Sequence, residues 1–203
     1  MGLRFVSYLY TTKDVPDRWS LVLFLPYCNL RCRHCHNWRL VLGREPARLT
    51  EEEVLKEVSN NPLLECLVLS GGEPTVYPPS LLLSFIKKVK KLNPSILVRV
   101  DTNGTNPKAV KALKELVDGF AVDVKAPPDE PELYRYATLK PFNRKALEET
   151  LTLADGMPLT LFRTTRYPWL TDEKLKKIER FLKPFSSPWL VNEFVSVPDC
   201  PFV

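Results

Sequence analysis

Three cysteines stand close together in this sequence and offer its clearest chemistry. Cys28, Cys32 and Cys35 have the spacing C-x3-C-x2-C. Three thiolates on one short loop can hold three corners of an iron-sulfur cluster, whereas clusters that only store electrons generally have four cysteine ligands. A missing fourth ligand leaves one iron open to another molecule. The spacing therefore predicts a [4Fe-4S] site with one open coordination position.

Structural zinc is the alternative for the same loop. His34 and His36 are the only histidines of the chain, and either of them would complete a tetrahedral Cys3His site. Arg31 and Arg33 bring positive charge into the loop, which we expect to favour thiolate over thiol. The loop alone does not distinguish an iron-sulfur cluster from structural zinc.

Polar residues follow the other predicted strands at their carboxyl ends. Each has an ordinary explanation when taken singly, such as an Asx turn or an ion pair. In barrels of parallel strands, however, the groups at this edge converge on the ligand. Paired glycines let a ligand approach backbone groups, and a carboxylate accepts from a cationic amine. We therefore expect a polar ring of Glu73, Asp101, Asn103, Asp123, Lys125 and Arg163 to suit a zwitterionic, hydroxyl-bearing cofactor.

The elements that must position these residues alternate between strand and helix. Such alternation predicts βα units on a parallel sheet with right-handed crossovers. A closed eight-fold barrel typically needs about 250 residues, so six units in 203 residues predict an α/β fold with a partial, open (β/α)6 barrel. We expect one domain over residues 1–203. The predicted strands are 20–25, 65–69, 96–100, 120–124, 159–163 and 189–195, and the predicted helices are 50–59, 79–91, 107–116, 132–136, 143–154 and 171–182.

Composition and charge favour an ordinary globular protein. Hydrophobic residues make up 44% of the chain and charged residues 26%, which is typical of a folded domain. The net charge of +5 is expected to be spread along the chain, with a local concentration only on one helix face. We therefore expect no nucleic-acid partner. The concentrated residues are Lys87, Lys88, Lys90 and Lys91.

The cysteine count and the apolar runs indicate the cellular location of the protein. Five cysteines, three of them within eight residues, argue against a secreted disulfide framework. We expect Cys66 and Cys200, which lack ligand-like neighbours, to be structural. Residues 1–19 contain no apolar core segment, and the longest apolar run, residues 21–25, is too short to span a bilayer. The sequence thus predicts a cytoplasmic protein without a membrane partner.

These motifs together resemble those of the radical S-adenosylmethionine (SAM) superfamily. More narrowly, they are similar to the activating enzymes of glycyl-radical enzymes, such as those of anaerobic ribonucleotide reductase and pyruvate formate-lyase. The resemblance covers roughly residues 20–170, although Pro26-Tyr27 stand where activators often have glycine. Its most specific parts are Cys28, Cys32 and Cys35 followed by His36-Asn37, then Gly71-Gly72-Glu73-Pro74, Asp101-Thr102-Asn103-Gly104 and Asp123-Val124-Lys125.

The resemblance implies a role for each group of residues. The three cysteines hold the [4Fe-4S] cluster, whose open iron chelates the amino and carboxylate groups of SAM. Residues 70–73 contact that amino group, and His34 lies beside the adenine. Lys125 and Arg163 face the cofactor. Asp101, Thr102 and Asp123 match positions that in some activators lie beside the SAM carboxylate with a bound monovalent cation.

The implied activity is reductive cleavage of SAM to a 5'-deoxyadenosyl radical. We expect this radical to abstract hydrogen from a glycine of a partner glycyl-radical enzyme, with flavodoxin or ferredoxin as electron donor. The open side of the barrel would admit the partner, beside Trp189, Phe194 and Phe202. The alternatives are a small-molecule enzyme of the 7-carboxy-7-deazaguanine synthase type and a non-catalytic, zinc-stabilised interaction module.

Overall fold

A computed structural model describes residues 2–202 of the chain. Its main sheet has seven strands, of which the last six in spatial order run parallel, while the first pairs antiparallel with its neighbour. A separate two-stranded sheet joins β1 (Arg4–Phe5) to β4 (Leu49–Thr50). The order of the main sheet is β2 (Ser7–Thr11), β3 (Ser20–Leu25), β5 (Cys66–Gly71), β6 (Leu97–Thr102), β7 (Gly119–Asp123), β8 (Leu161–Arg166) and β9 (Trp189–Glu193).

Helices connect the parallel strands and cover the outer face of the sheet. Three of them begin with proline, whose fixed φ suits the first helical position. Among residues 2–202, no helix is long and apolar enough to cross a membrane. The helices are α1 (Trp38–Val41), α2 (Glu51–Asn60), α3 (Pro79–Leu92), α4 (Pro107–Leu113), α5 (Pro131–Thr138), α6 (Arg144–Ala154) and α7 (Asp172–Leu182), with a short 3-10 turn at Pro74–Val76.

Both faces of the central strands are buried. In β3, Leu21 and Leu23 belong to the large core between sheet and helices. Val22 points to the opposite face and packs with Val15 and Val68 inside the barrel. Such burial on two sides explains why these strands read as near-continuous apolar runs.

The predicted partial open barrel is confirmed. All six predicted strands and all six predicted helices are present, with ends that coincide with the prediction or differ from it by up to three residues. The sequence reading missed β1, β2, β4 and α1. Both β1 and β4 have only two residues and α1 has four, too short for a periodic pattern, and most of β2 is exposed.

The additional strand β2 moves the open side of the barrel. We expected the opening between the first and last predicted strands, but β2 covers the edge of β3, so the gap lies between β2 and β9. Leu9 pairs with the inward Val22, and Leu190 pairs with Arg163, which lines the inner cavity. These two leucines therefore face the barrel interior, yet they are 51% and 50% exposed because the sheet does not close.

The N-terminus of α2 gives a test of the local structure. Thr50 accepts a hydrogen bond from the Glu53 backbone N–H at 3.1 Å, and Glu53 accepts from the Thr50 N–H at 2.7 Å. Thr50→Ala removes one half of this capping box and should lower the free energy of unfolding by about 1 kcal/mol. Denaturant unfolding measures the loss. Ser59→Ala, on the exposed face of the same helix, is the control, and an equal effect of both variants would contradict the capping assignment.

Candidate active site

One cavity of about 430 Å³ opens at the carboxyl ends of the parallel strands. This volume lies in the range of small-molecule and cofactor sites. Every residue that the sequence analysis assigned to the site lines this cavity. They are Cys28, Cys32, His34, Cys35, Ser70, Gly71, Gly72, Glu73, Asp101, Thr102, Asn103, Asp123, Lys125 and Arg163.

The cysteine loop follows β3 and is held at both ends. Before the first cysteine, the Tyr27 carbonyl accepts from the Glu73 N–H at 2.8 Å. Farther along, the Arg31 N–H donates to the Thr138 carbonyl at 3.0 Å, which ties the loop to the end of α5. Tyr27 has φ of 66°, a left-handed conformation that glycine adopts without strain.

The three thiols are free and half-buried. Burial, followed by the nearby carboxylate of Glu73, raises the pKa of Cys28 to about 12. Burial also raises the pKa of Cys35 to about 11. Metal binding at these thiols must therefore release protons.

The expectation that the loop arginines favour thiolate is wrong. The Arg31 guanidinium donates to the carbonyls of Cys28 and Leu30, each at 2.7 Å. The Arg33 Nε donates to the Tyr136 carbonyl at 3.0 Å, and its guanidinium lies over the Tyr136 ring. Both guanidinium groups therefore bond to carbonyl oxygens, and burial is the largest cause of the raised pKa values of Cys28 and Cys35.

Both histidines have contacts of their own in the cavity wall. His34 stacks on Trp169 with ring centroids 5.9 Å apart and meets Phe194 edge-on at 5.1 Å. The His36 Nε2 lies 3.3 Å from the Val195 carbonyl. His34 thus sits within an aromatic cluster on the cavity wall.

The paired glycines are required by the protein backbone itself. A Cβ on Gly72 would lie 1.8 Å from the Tyr27 carbonyl oxygen, and one on Gly71 would lie 2.5 Å from the Leu25 nitrogen. Gly71 also has φ of 101°. The sequence analysis attributed these glycines to ligand approach. The structure shows that they first make room for the start of the cysteine loop.

The Glu73 carboxylate is buried and already satisfied within the protein. It accepts from the Thr75 hydroxyl at 2.6 Å, the Thr102 hydroxyl at 2.8 Å and the Asn103 N–H at 2.6 Å. Burial raises the pKa of this carboxyl, and the hydrogen bonds act in the opposite direction. Glu73 therefore joins the turn after β5 to the end of β6, in addition to facing the cavity.

Five charged residues form a chain of ion pairs along the cavity floor, which we call the charge chain. Asp101 bridges Arg99 and Arg163 with contacts of 3.0 Å to each. Asp123 bridges Arg163 and Lys125, again at 3.0 Å. Although burial opposes the charged form, Lys125 and Arg163 hold the pKa of Asp123 below its usual value. Asp123 in turn helps to hold the pKa of Lys125 well above its usual value despite burial.

Sequence reasoning missed two residues that support this floor. Arg99 is 1% exposed, and it stands two residues before Asp101, so the period-two alternation of a strand could have placed both on one face. Asp14 comes from the loop between β2 and β3, and its carbonyl accepts from Arg99 at 2.6 Å. No local pattern indicates that this loop enters the barrel.

The C-terminal segment also takes part in the cavity. Phe194 and Asn192 line it, and the Trp189 Nε1 donates to the Thr164 hydroxyl at 3.0 Å. Of the aromatics expected at a partner-facing surface, Trp189 and Phe194 are thus used inside the molecule, and Phe202 is half-buried.

The chain belongs to the radical SAM superfamily, whose model matches residues 22–182. Enzymes of this family use a [4Fe-4S] cluster and SAM. The residues around the cavity fit these cofactors, since three free thiols share one wall with donors and acceptors for a zwitterion.

Three known proteins resemble this chain in sequence or in fold. A protein of Methanocaldococcus jannaschii, named provisionally as a glycyl-radical enzyme activating enzyme, is 34% identical over 117 residues, which are 57% of this chain and 47% of that protein. The fold is similar to that of Escherichia coli coproporphyrinogen III oxidase HemN, with a TM-score of 0.62 and 14% identity over 93% of this chain and 47% of HemN. The fold is also similar to that of the FeFe-hydrogenase maturase HydG of Carboxydothermus hydrogenoformans, with a TM-score of 0.59. That match has 21% identity and covers 85% of this chain and 44% of HydG. The chain spans about half the length of these relatives.

The contact between Gly72 and Tyr27 gives a prediction for the site. Gly72→Ala should displace the start of the cysteine loop, lower the free energy of unfolding by about 1–3 kcal/mol and reduce iron bound after anaerobic reconstitution. Gly43→Ala is the control for iron content, because its new Cβ would lie 3.8 Å from the Tyr27 ring, so its left-handed strain lowers stability without displacing the loop. Parent-like iron content and stability in Gly72→Ala would show that this close approach is unimportant.

Proposed function

We propose that this chain is a glycyl-radical enzyme activating enzyme that cleaves SAM reductively at a [4Fe-4S] cluster. Cys28, Cys32 and Cys35 would hold the cluster. The observation that carries the proposal is the shared cavity, into which one loop brings three free thiols opposite the polar strand ends. When bound, the cluster supplies one electron to the sulfonium of SAM, and the cleaved cofactor takes a hydrogen atom from the substrate.

The polar strand ends would bind and orient SAM. Lys125 and Arg163 are held as cations by Asp123 and Asp101, so they offer fixed positive charge to a carboxylate. Ser70 and Asn103 add neutral hydrogen-bonding groups to the same wall. The His34 ring contacts Trp169 and Phe194, and His34 and Phe194 both line the cavity, where they would contact adenine. The protein's part is therefore to position the cofactor and exclude water.

Two observations support a protein substrate. The M. jannaschii relative carries the activating-enzyme name. The barrel is also open between β2 and β9, where the inward-facing Leu9 and Leu190 are half-exposed. A loop of a partner enzyme could enter through this gap and bring a glycine to the cavity.

Single cysteine replacements test the cluster ligands. Cys28→Ser, Cys32→Ser and Cys35→Ser should each abolish stable binding of a four-iron cluster, because each thiolate holds one corner. Iron and sulfide analysis after anaerobic reconstitution measures this. Cys66→Ala, in the buried strand β5, should keep the parent iron content. One tightly bound zinc with no capacity for iron would overturn the assignment.

Two activities test the function. With dithionite, the parent should form 5'-deoxyadenosine from SAM, and Cys32→Ser should form none. With a candidate glycyl-radical enzyme from the same genome added, electron paramagnetic resonance (EPR) should detect a glycyl radical that requires both proteins. A small metabolite that couples SAM cleavage to its own conversion, without any protein partner, would replace the activating role with small-molecule chemistry.

A further inference from the structure

The positive charge of this chain is concentrated around the cysteine loop. Residues 28–48 contain five arginines and one carboxylate, whereas the whole chain has a net charge of only +5. This corrects the expectation that charge is concentrated only on α3. There, Lys88 pairs with Glu51 and Lys90 with Asp118, which neutralises part of that group.

Four arginines of the loop region differ from Lys88 and Lys90 of α3 in the partners that hold them. Among residues 2–202, no carboxylate pairs with Arg31, Arg33, Arg39 or Arg44. Carbonyl groups and aromatic rings hold them instead. The guanidinium groups of Arg39 and Arg44 lie 4.3 Å and 5.0 Å from the centroid of the Trp38 ring. A guanidinium stacked on a ring keeps its N–H donors free for carboxylates at little further entropic cost.

These arginines also lie close to the cluster ligands along the backbone. The Trp38 N–H donates to the Cys35 carbonyl at 3.3 Å, and the Tyr27 N–H donates to the Leu40 carbonyl at 3.4 Å. Helix α1 therefore contacts the loop at both ends, and it carries the exposed Arg39. Arg44 follows at the next turn, where its N–H donates to the Arg39 carbonyl at 2.8 Å.

We infer that Arg31, Arg33, Arg39 and Arg44 form the docking surface for an acidic one-electron carrier protein. This inference rests on the proposed function, because only a redox cluster needs such a partner. None of these four arginines lines the cavity that is the proposed place for SAM and substrate, so a carrier protein bound to them would leave that cavity open. Electron-transfer encounters are small and brief, and complementary charge is what steers them.

A flavodoxin of net negative charge, kept reduced by NADPH and its reductase, is the probe. The variant is Arg39→Glu/Arg44→Glu, which leaves the cavity and the cysteines unchanged. The matched control is Lys87→Glu/Lys91→Glu, which makes the same charge change on exposed positions of α3. Titration calorimetry at low and high ionic strength measures flavodoxin affinity. We expect the arginine variant to bind about tenfold or more weakly at low salt and the control to stay near the parent.

A second variant and a second assay distinguish a loss of docking from a folding defect and from a failure of the proposed function. Arg39→Lys/Arg44→Lys keeps the charge and should keep most of the affinity. With dithionite, which needs no docking, the glutamate variant should cleave SAM at the parent rate, whereas flavodoxin-driven cleavage should need about tenfold more flavodoxin. Failure of the parent with dithionite would contradict the proposed function. Equal flavodoxin affinity in parent and glutamate variant, or equal losses in variant and control, would overturn the docking surface. So would salt-dependent binding of an RNA oligonucleotide with no binding of flavodoxin.

Discussion

The close contact between the Tyr27 carbonyl and the Gly72-Glu73 backbone fixes the geometry of the site. This contact seats the beginning of the cysteine loop on the end of the neighbouring strand, and it tolerates no side chain at Gly72. Tyr27 accepts a left-handed conformation to make it, which costs about 1–2 kcal/mol for a residue other than glycine. The directions of the thiols, and hence any metal geometry, depend on this arrangement.

A second constraint lies beneath the loop, in the charge chain from Arg99 to Lys125. Its carboxylates bridge cations on three adjacent strands, so no member moves without leaving a buried charge unpaired. Such a network adds little net stability, because removing the ions from water costs about as much as their pairing gains. What it supplies is a rigid polar floor with fixed charges, which suits a zwitterionic cofactor.

Sequence patterns predicted most of the fold and a set of residues that line one cavity. The strand at Ser20–Leu25 agrees with its apolar run at both ends, and the polar residues that follow the strands meet because parallel strands end at one edge. Contacts that depend on side-chain direction could not be predicted. Arg31 and Arg33 donate to backbone carbonyls, and Asp14 lines the cavity from a loop that carries no periodic signal.

We propose that three thiolates hold a cluster with one iron left for SAM. The EPR spectrum of the reconstituted, reduced protein, recorded with and without SAM, tests this most directly. We expect one reduced [4Fe-4S] signal whose g-values shift when SAM is added, because the cofactor would become a ligand of the open iron. A reduced cluster whose spectrum is identical with and without saturating SAM would contradict it.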